Sequence, residues 1–295
     1  MELEARLRAF AALARAGTFS GAADELDISQ PAVSKHVAAL EAELGAPLVE
    51  RAGRGSRLTA AGRFVAPYVL RAEALLAQAS RGVAAFGANG AGSLRLAASG
   101  TPGTYLLPRA IAKFQDALPA AELSVELGTS AEVADLVRLH RVELGVVGGY
   151  ADAPELDAEP LAEDTVVVIG HPALAASRLS RRQLSEATWI TREEGSATRR
   201  ALETAWSDLG IVPRRRLALP SWEAVKLACA AGAGIAACSR LAIEIELKAG
   251  TLAVLDVPRW NVRRTISLLT PEGVPLSLVA TEFAAILRDV CASPR

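Results

Sequence analysis

The spacing of apolar residues in the first forty-five positions predicts three helices. In the stretch 3–15, apolar side chains recur every three or four residues, and Gly17 follows where that helix is expected to end. A short helix is expected over 20–26, with Ser20 as its N-cap. The same spacing predicts a third helix over 30–44. Two helices that are joined by a short turn and buried on one face are typical of a helix-turn-helix.

The third helix carries its own start and stop signals. Pro31 falls in its first turn, and Gly45 lies just past its end. The apolar positions expected to face inward are Val33, Val37, Leu40 and Leu44. The following stretch 46–58 contains proline and two glycines and ends in Leu58, which suits a short two-stranded wing.

A long helix is expected next. From Thr59 to Phe86, apolar residues recur at steps of three and four, which predicts one apolar seam that would pair with a second copy of the helix. Pro67 lies inside this stretch and is expected to kink the helix or to remove a backbone hydrogen bond. The seam consists of Ala61, Val65, Tyr68, Ala72, Leu75, Ala79, Val83 and Phe86. The Gly- and Ala-rich segment 87–92 is expected to be a linker.

After the linker, apolar runs alternate with helical stretches, which predicts an α/β fold with a mostly parallel sheet and helices on both faces. Periodicity leaves open whether these two hundred residues form one domain or two lobes. The expected strands are 94–98, 123–127, 144–148, 165–169 and 187–191. The expected helices include 104–117, 131–140 and 197–209.

Composition excludes several classes of protein. With 295 residues, 51% hydrophobic and 22% charged, the chain has the composition of a globular protein of about two domains. Lys and Arg (32) nearly balance Asp and Glu (33), so any contact with nucleic acid must come from a local patch. The stretch 51–63 is such a patch, because it holds four basic residues and no acidic one. These are Arg51, Arg54, Arg57 and Arg63.

The remaining composition predicts a cytoplasmic protein without a metal or an organic cofactor. Three cysteines in apolar surroundings make neither a disulfide framework nor a zinc cluster. The acidic N-terminus does not resemble a secretory signal, and no apolar run is long enough for a membrane span. No nucleophile, base and orienting group stand out as a catalytic set, so an enzyme is not expected.

Several motifs resemble the LysR-type transcriptional regulators. In 17–62, the runs SQPAVS, ALE…LGxPLxxR and RLTxAG are similar to the DNA-binding domain of that family. Further along, LRLAASGTPGTYLLP, LGTSAEVADLV, EEGSATR, CAAGAGIAACSR and KAGTLAVLDV are similar to its effector-binding domain. The resemblance therefore covers essentially the whole chain.

This resemblance implies a multidomain architecture. It places a winged helix-turn-helix at 1–58, a linker and dimerisation helix at 59–88, and an effector-binding domain at 93–295. The last is expected to consist of two Rossmann-like lobes, similar to periplasmic solute-binding proteins. We expect lobe I at 93–162 plus 266–295, and lobe II at 163–265. Tetramers built as pairs of dimers are usual in the family.

The family resemblance also suggests which residues contact DNA. Side chains in the first turns of a recognition helix reach base edges in the major groove. Here these are Gln30, Ser34, Lys35 and His36, with Pro31 in apolar contact. The amides near Ser20 and the wing residues Arg51, Arg54 and Arg57 are expected to hold phosphates or reach the minor groove. The alternative is that these are ordinary surface polar residues.

In the second half, three predicted strands run into helix N-termini that are rich in hydroxyl groups. Helix N-termini favour anions, and such strand ends gather at one edge of a parallel sheet. The candidate effector-binding residues are Ser99, Gly100, Thr101 and Thr129 from lobe I, and Ser196 and Thr198 from lobe II. They predict a small carboxylate, phosphate or sulfur oxyanion as ligand. Arg199 and Arg200 either add charge or face solvent, and the alternative is that the hydroxyls only cap helices.

The sequence therefore predicts a regulator whose operator binding is modulated by a small, anionic effector. Its expected partners are double-stranded DNA, the effector, further copies of itself and RNA polymerase. Two alternatives stay open: an α/β enzyme tethered to DNA, and an architectural DNA binder without an effector. The spacing of Cys229 and Cys238 is similar to that of peroxide-sensing members, but their apolar surroundings favour buried structural thiols.

Overall fold

The computed structural model describes residues 2–52, 55–84, 92–149, 155–176 and 178–292. These residues form two compact units. The first contains helices and a two-stranded sheet, and the second is built on a nine-stranded sheet. No helix among the described residues combines the length and apolarity that a membrane crossing requires. The predicted wing residue Arg54, the seam residue Phe86 and the linker positions 87–91 lie outside the described residues.

The first unit confirms the three predicted helices and the wing. Its elements are α1 (Glu2–Ala16), α2 (Phe19–Leu26), α3 (Gln30–Leu44), β1 (Val49–Ala52), β2 (Gly55–Leu58) and α4 (Ala60–Ala84). Gly17 ends α1 and Gly45 ends α3, and both have a positive φ angle, of 68° and 70°. The strands β1 and β2 pair antiparallel. The predicted N-cap Ser20 is wrong, because the Thr18 side chain caps α2 by accepting a hydrogen bond from the amide of Gly21.

A single core holds this unit together. Phe10 and Leu13 of α1 pack with Val33, Val37 and Leu40 of α3. The prediction that Leu44 faces inward is wrong, because its side chain is exposed at the last turn of α3. At the start of α4, Gly62 lies so close to the preceding loop that an added Cβ would be 2.0 Å from the carbonyl oxygen of Leu48. Only glycine allows this approach, which seats α4 against the wing.

Helix α4 does not have the single seam that its pattern predicts. Ala66 and Val69 are buried in the core of the first unit, and Ala61 and Val65 pack against the same core. Phe64, Tyr68, Leu76 and Val83 instead form an exposed apolar stripe, with Phe64 70% and Tyr68 65% exposed. The helix thus has two apolar stripes: one packs in the core of the first unit, and the other is exposed. Pro67 lies inside the continuous helix.

The second unit alternates strands and helices. Lobe I contains β3 (Ser93–Ser99), α5 (Gly100–Tyr105), α6 (Leu107–Ala117), β4 (Glu122–Gly128), α7 (Ser130–Arg138), β5 (Leu144–Gly148) and the last helix, α12 (Leu278–Ala292). Lobe II contains α8 (Arg181–Glu186), β7 (Thr188–Arg192), α9 (Ala197–Leu209), β8 (Arg215–Leu219), α10 (Trp222–Ala230), β9 (Ile235–Ser239), α11 (Glu244–Ala249) and β10 (Ala253–Val254). The strands β6 (Leu156–Gly170) and β11 (Val262–Pro271) belong to both lobes. The helix expected over 104–117 is two helices, α5 and α6.

The strands follow the order β4-β3-β5-β11-β6-β9-β7-β8, with β10 paired to β6. Pairing is parallel within each lobe, between β3 and its neighbours and between β7 and its neighbours. It is antiparallel wherever β6 or β11 takes part. The prediction of a mostly parallel sheet is therefore wrong at its centre, because the chain passes between the lobes through these two strands.

Each lobe has its own core. In lobe I, Phe114 of α6 and Phe283 of α12 meet edge to face at 5.4 Å. In lobe II, Trp189 of β7 packs edge to face on Trp206 and stacks on Trp260. The register between β11 and β6 shifts between Ile266 and Ser267, beside the positions where the lobes are expected to exchange. The exact domain and lobe boundaries stay a prediction.

Candidate functional site

The N-terminal turns of α3 present the predicted base-reading side chains. Gln30, Pro31, Ser34 and Lys35 are exposed, and His36 is half-buried. The Ser29 hydroxyl caps the helix by accepting a hydrogen bond from the amide of Ala32, at 3.3 Å. Because Ser29 supplies the cap, the exposed side chains of Gln30, Ser34 and Lys35 are not needed for it and can contact a partner.

A concave surface lies beside these residues and encloses a pocket with a volume of about 490 Å³. It is lined by the start of α2, by α3 and by the wing. Ser20, Gln30 and Ser34 are among its lining residues, whereas Lys35 and His36 are not. The structure thus brings three of the predicted DNA contacts to one concave face.

The wing is positioned by a carboxylate of α3. Glu41 Oε1 accepts hydrogen bonds from the amides of Leu48 and Val49, at 2.7 and 3.0 Å, where the chain enters β1. On the wing itself, Arg57 is exposed and donates to Glu50 on the neighbouring strand. Of the other wing arginines, Arg51 lies on β1 opposite Ser56, and Arg54 is outside the described residues. The basic patch is therefore partly balanced by Glu50.

The second candidate site is a small cavity between the lobes. It measures about 20 Å³, which is room for one water molecule. All six predicted effector-binding residues line it: Ser99, Gly100, Thr101, Thr129, Ser196 and Thr198. They meet there because the ends of β3, β4 and β7 lead into α5, α7 and α9 at the same edge of the sheet. As it stands, the cavity is too small for a ligand of several atoms.

The hydroxyl groups of the cavity differ in what they already bind. Thr129 caps α7, because its Oγ1 accepts from the amide of Glu132, as the alternative interpretation expects. The amide of Thr129 in turn donates to Glu132 Oε2, and this bond and the hydroxyl hold the pKa of that carboxyl below its usual value. Ser99 does not cap α5, since its Oγ accepts from the amide of Gly148 at 3.1 Å. Ser196 precedes α9 without a capping bond.

Arg264 of β11 also lines this cavity and was not predicted. Its Nε donates to Asp164 Oδ2 at 2.7 Å, and its side chain is only 6% exposed. Nη1 donates to Thr198 Oγ1 at 2.7 Å, and Nη2 donates to Thr101 Oγ1 at 3.0 Å. Asp164 is fully buried and also accepts from Ser239 Oγ at 2.6 Å. One guanidinium thus joins a hydroxyl of lobe I to a hydroxyl of lobe II.

A second arginine, Arg192, lines the cavity at the end of β7. Its guanidinium donates twice to the carboxylate of Glu193, both at 2.6 Å, and lies 5.1 Å from the ring of Trp222. The predicted cations Arg199 and Arg200 do not line the cavity. Arg199 pairs with Glu203, and Arg200 lies 3.5 Å from the carbonyl oxygen of Gly195.

The sequence offered a partial signal for these arginines. Arg192 directly precedes the run EEGSATR, so its place at a strand end was readable. Arg263 and Arg264 are consecutive in a strand and must face opposite sides of the sheet. The sequence around these two arginines does not indicate which of their side chains lines the cavity.

The two cysteines of lobe II are not arranged for redox chemistry. Cys229 and Cys238 are free and buried. Burial raises the pKa of the Cys229 thiol to about 12, and it raises the pKa of Cys238 as well. Among the described residues, no three His, Cys, Asp or Glu side chains form a group that could hold a metal ion.

Comparison with known proteins decides the family. Residues 5–63 match the bacterial regulatory helix-turn-helix protein family of lysR type, and residues 87–292 match the LysR substrate binding domain. The chain belongs to the LysR family of transcriptional regulators. It is 32% identical over 283 residues to the HTH-type transcriptional regulator CbbR of Rhodospirillum rubrum, covering 96% of this chain and 95% of that protein. This LysR-type chain is thus a regulator with a DNA-binding and an effector-binding domain, and not an enzyme.

Solved structures share the architecture of this LysR-type chain. The regulatory domain of CcmR from Synechocystis PCC6803, in complex with 2-PG, is 27% identical with a TM-score of 0.63, and the match covers 68% of this chain and 98% of that domain. Full-length CbnR in complex with its target DNA is 22% identical with a TM-score of 0.67, covering 98% of this chain and 100% of that one. The CbnR likeness shows the fold alone.

Proposed function

We propose that this LysR-type regulator binds a small anionic effector in the cavity around Arg264, and that the effector changes how the protein binds its operator. Binding there would move two lobes that Arg264 now joins. An effector and the DNA-bound state that it favours must stabilise one another by the same free energy, typically about 1–3 kcal/mol. No organic cofactor is needed for this role.

The observation that carries the proposal is the set of hydrogen-bond donors in the cavity. Ser99, Thr101 and Thr198 each accept a hydrogen bond from a fixed N–H group, and none donates its own proton to a described residue. The hydroxyl of Ser196 has no hydrogen bond to a described residue, and the first amides of α9 have no side-chain cap. These donors suit a ligand made of acceptors, and an oxyanion is such a ligand.

Not every predicted helix N-terminus supports the proposal equally. The carboxylate of Glu132 already occupies the N-terminus of α7. Helix α5 has only six residues. Of the three helix N-termini at the cavity, that of α9 is therefore the one on a long helix with no described side chain in the place of an anion. Among the described residues, Glu193 is the one acidic residue that lines the cavity, and Arg192 neutralises it.

A thermal-shift screen of the full-length chain tests this function. The panel contains small carboxylic acids, phosphorylated acids and sulfur oxyanions, with neutral and aromatic compounds as a comparison set, all at one ionic strength. A ligand at 100 times its dissociation constant adds about 2.7 kcal/mol to the free energy of unfolding. We expect at least one acid to raise Tm, and Thr101→Val or Ser196→Ala to abolish the shift. Thr204→Val is the matched control, because this hydroxyl lies further along α9 and bonds only the carbonyl of Arg200.

The other outcomes separate the alternatives. A shift with neutral or aromatic ligands only would contradict an anionic effector. No shift with any ligand would favour an architectural DNA binder without an effector. A ligand that binds the cavity but changes neither DNA bending nor the length of the DNase footprint would contradict the regulatory mechanism.

The same proposal includes the partners of the first unit. Ser20, Gln30 and Ser34 would face operator DNA together with Pro31, Lys35, His36 and the wing arginines. The exposed stripe of Phe64, Tyr68, Leu76 and Val83 would pair with α4 of a second copy, and two such dimers would form a tetramer. The protein would act in the cytoplasm, where the chromosome and RNA polymerase are reached directly.

A further inference from the structure

We propose that Arg264 determines the ligand specificity of the cavity, by binding the effector directly and by fixing two neighbouring hydroxyls as hydrogen-bond donors. This inference rests on the proposed function, because it names the group that recognises the anion. The ligand group that Arg264 would recognise offers two acceptor oxygens on a single atom, as a carboxylate, a phosphate or a sulfur oxyanion does.

The first step is a count of guanidinium protons. Arginine has five N–H groups in a planar fork. One on Nε goes to Asp164, one on Nη1 to Thr198, and one on Nη2 to Thr101. One N–H on each Nη atom therefore has no acceptor among the described residues. These two N–H groups suit a bidentate contact with two oxygens of one ligand group.

The second step concerns the two threonines. Each hydroxyl has one proton and accepts a bond from the cation, so the proton is left to donate. An ammonium on the ligand would have only the second lone pair of each hydroxyl to bind, next to a guanidinium of the same charge. An oxyanion instead accepts from Arg264, from Thr101 and from Thr198 at once.

The third step is that Arg264 is held in place before any ligand binds. Both oxygens of Asp164 are occupied, Oδ2 by Arg264 and Oδ1 by Ser239. Because Asp164 neutralises the cation, selectivity comes from the direction of the donors rather than from excess charge. A pre-organised donor set binds its ligand at a lower entropic cost.

The test measures anion binding by the full-length protein. Phosphate, sulfate and malonate are each titrated calorimetrically at constant ionic strength into the wild type and two variants. Arg264→Lys keeps a cation next to Asp164 but loses the fork, and the double variant Arg264→Gln with Asp164→Asn replaces the buried pair by two amides. Arg263→Gln is the matched control, because Arg263 is the exposed neighbour on β11 and pairs with Glu163. We expect both test variants to weaken binding tenfold or more, and the control to stay within twofold.

Each outcome separates this inference from the function on which it rests. If an anion binds the wild type and both Arg264 variants alike, while Thr198→Val abolishes binding, the anionic effector stands and the role of Arg264 is overturned. If none of the three anions binds the wild type, both proposals fail. If Arg264→Lys does not fold, the double variant decides by the same tenfold criterion, with near-UV circular dichroism as the check on its structure.

Discussion

Arg264 and Asp164 lie directly opposite one another on β11 and β6 and form a buried ion pair. A second pair of the same two strands, Arg263 and Glu163, is exposed and joins diagonal positions at 2.8 Å, because Thr165 is the residue directly opposite Arg263. The two pairs have the same chemistry and differ in burial. Comparing the two pairs therefore measures the effect of burial on an ion pair between arginine and a carboxylate.

We predict that Asp164→Ala destabilises the protein by about 3–5 kcal/mol, because it leaves a buried guanidinium and the Ser239 hydroxyl without an acceptor. Glu163→Ala should cost no more than about 1 kcal/mol, since exposed pairs contribute little. Urea unfolding of both variants, followed by circular dichroism, measures the difference. Equal losses would show that the burial of Asp164 does not matter for stability.

Glu41 is expected to hold the wing. We predict that Glu41→Ala lowers the free energy of unfolding of the first unit by about 1–3 kcal/mol, because the amides of Leu48 and Val49 lose their shared acceptor. Glu41→Gln should recover part of this loss, since an amide oxygen still accepts. Amide hydrogen exchange at Leu48 and Val49 is the measurement. Unchanged protection in Glu41→Ala would contradict this role.

Gln30 is expected to read a base. With DNA selected from a random library by the wild-type protein, Gln30→Ala should relax discrimination at one or two base pairs by about 1–3 kcal/mol while the salt dependence of binding persists. Asp24→Ala on α2 is a control substitution of an exposed residue outside the concave surface. An equal loss of binding affinity for all DNA sequences would mean that Gln30 contacts the phosphate backbone and does not read a base.

The exposed stripe of α4 is expected to form the dimer. Phe64→Glu together with Tyr68→Glu should shift the molar mass, measured by light scattering after gel filtration, toward the monomer. The reason is that two ring side chains, 5.5 Å apart, would be replaced by charges in an apolar interface. Val212→Glu, an equally exposed apolar position of lobe II, is the control. An unchanged oligomer in the double variant would place the interface elsewhere.

The buried cysteines are expected to be inert. Because the pKa of Cys229 is raised to about 12, roughly one thiol in ten thousand is ionised at pH 8. In a Cys291→Ser variant, Ellman's reagent should therefore modify no thiol in native buffer and two in urea. Rapid loss of thiols on adding dilute hydrogen peroxide would instead support a peroxide sensor.

Much of the first unit was predictable because its signals are local. Gly17 and Gly45 end helices at the residue next to them, and the spacing of Val33, Val37 and Leu40 gives the buried face of α3 directly. The family resemblance rested on the same short runs, and the comparisons confirm it. Errors there were small and also local, as when Thr18 rather than Ser20 capped α2.

The gathering of the cavity hydroxyls was also predictable, since strand ends that lead into helices meet at one edge of a parallel sheet. Which cation joins them was not. Arg199 and Arg200 lie next to the predicted residues in sequence but bind elsewhere, whereas Arg264 comes from a distant strand. Likewise, periodicity showed that α4 is apolar but did not separate the stripe that packs in the first unit from the exposed one.

Helices, caps and turns follow from neighbours along the chain, so the order of residues is enough to specify them. The place of Arg264 depends on the register between β6 and β11, which pairs residues a hundred positions apart. Such a pairing arises from packing the two lobes around shared strands, and a local pattern contains no information about it.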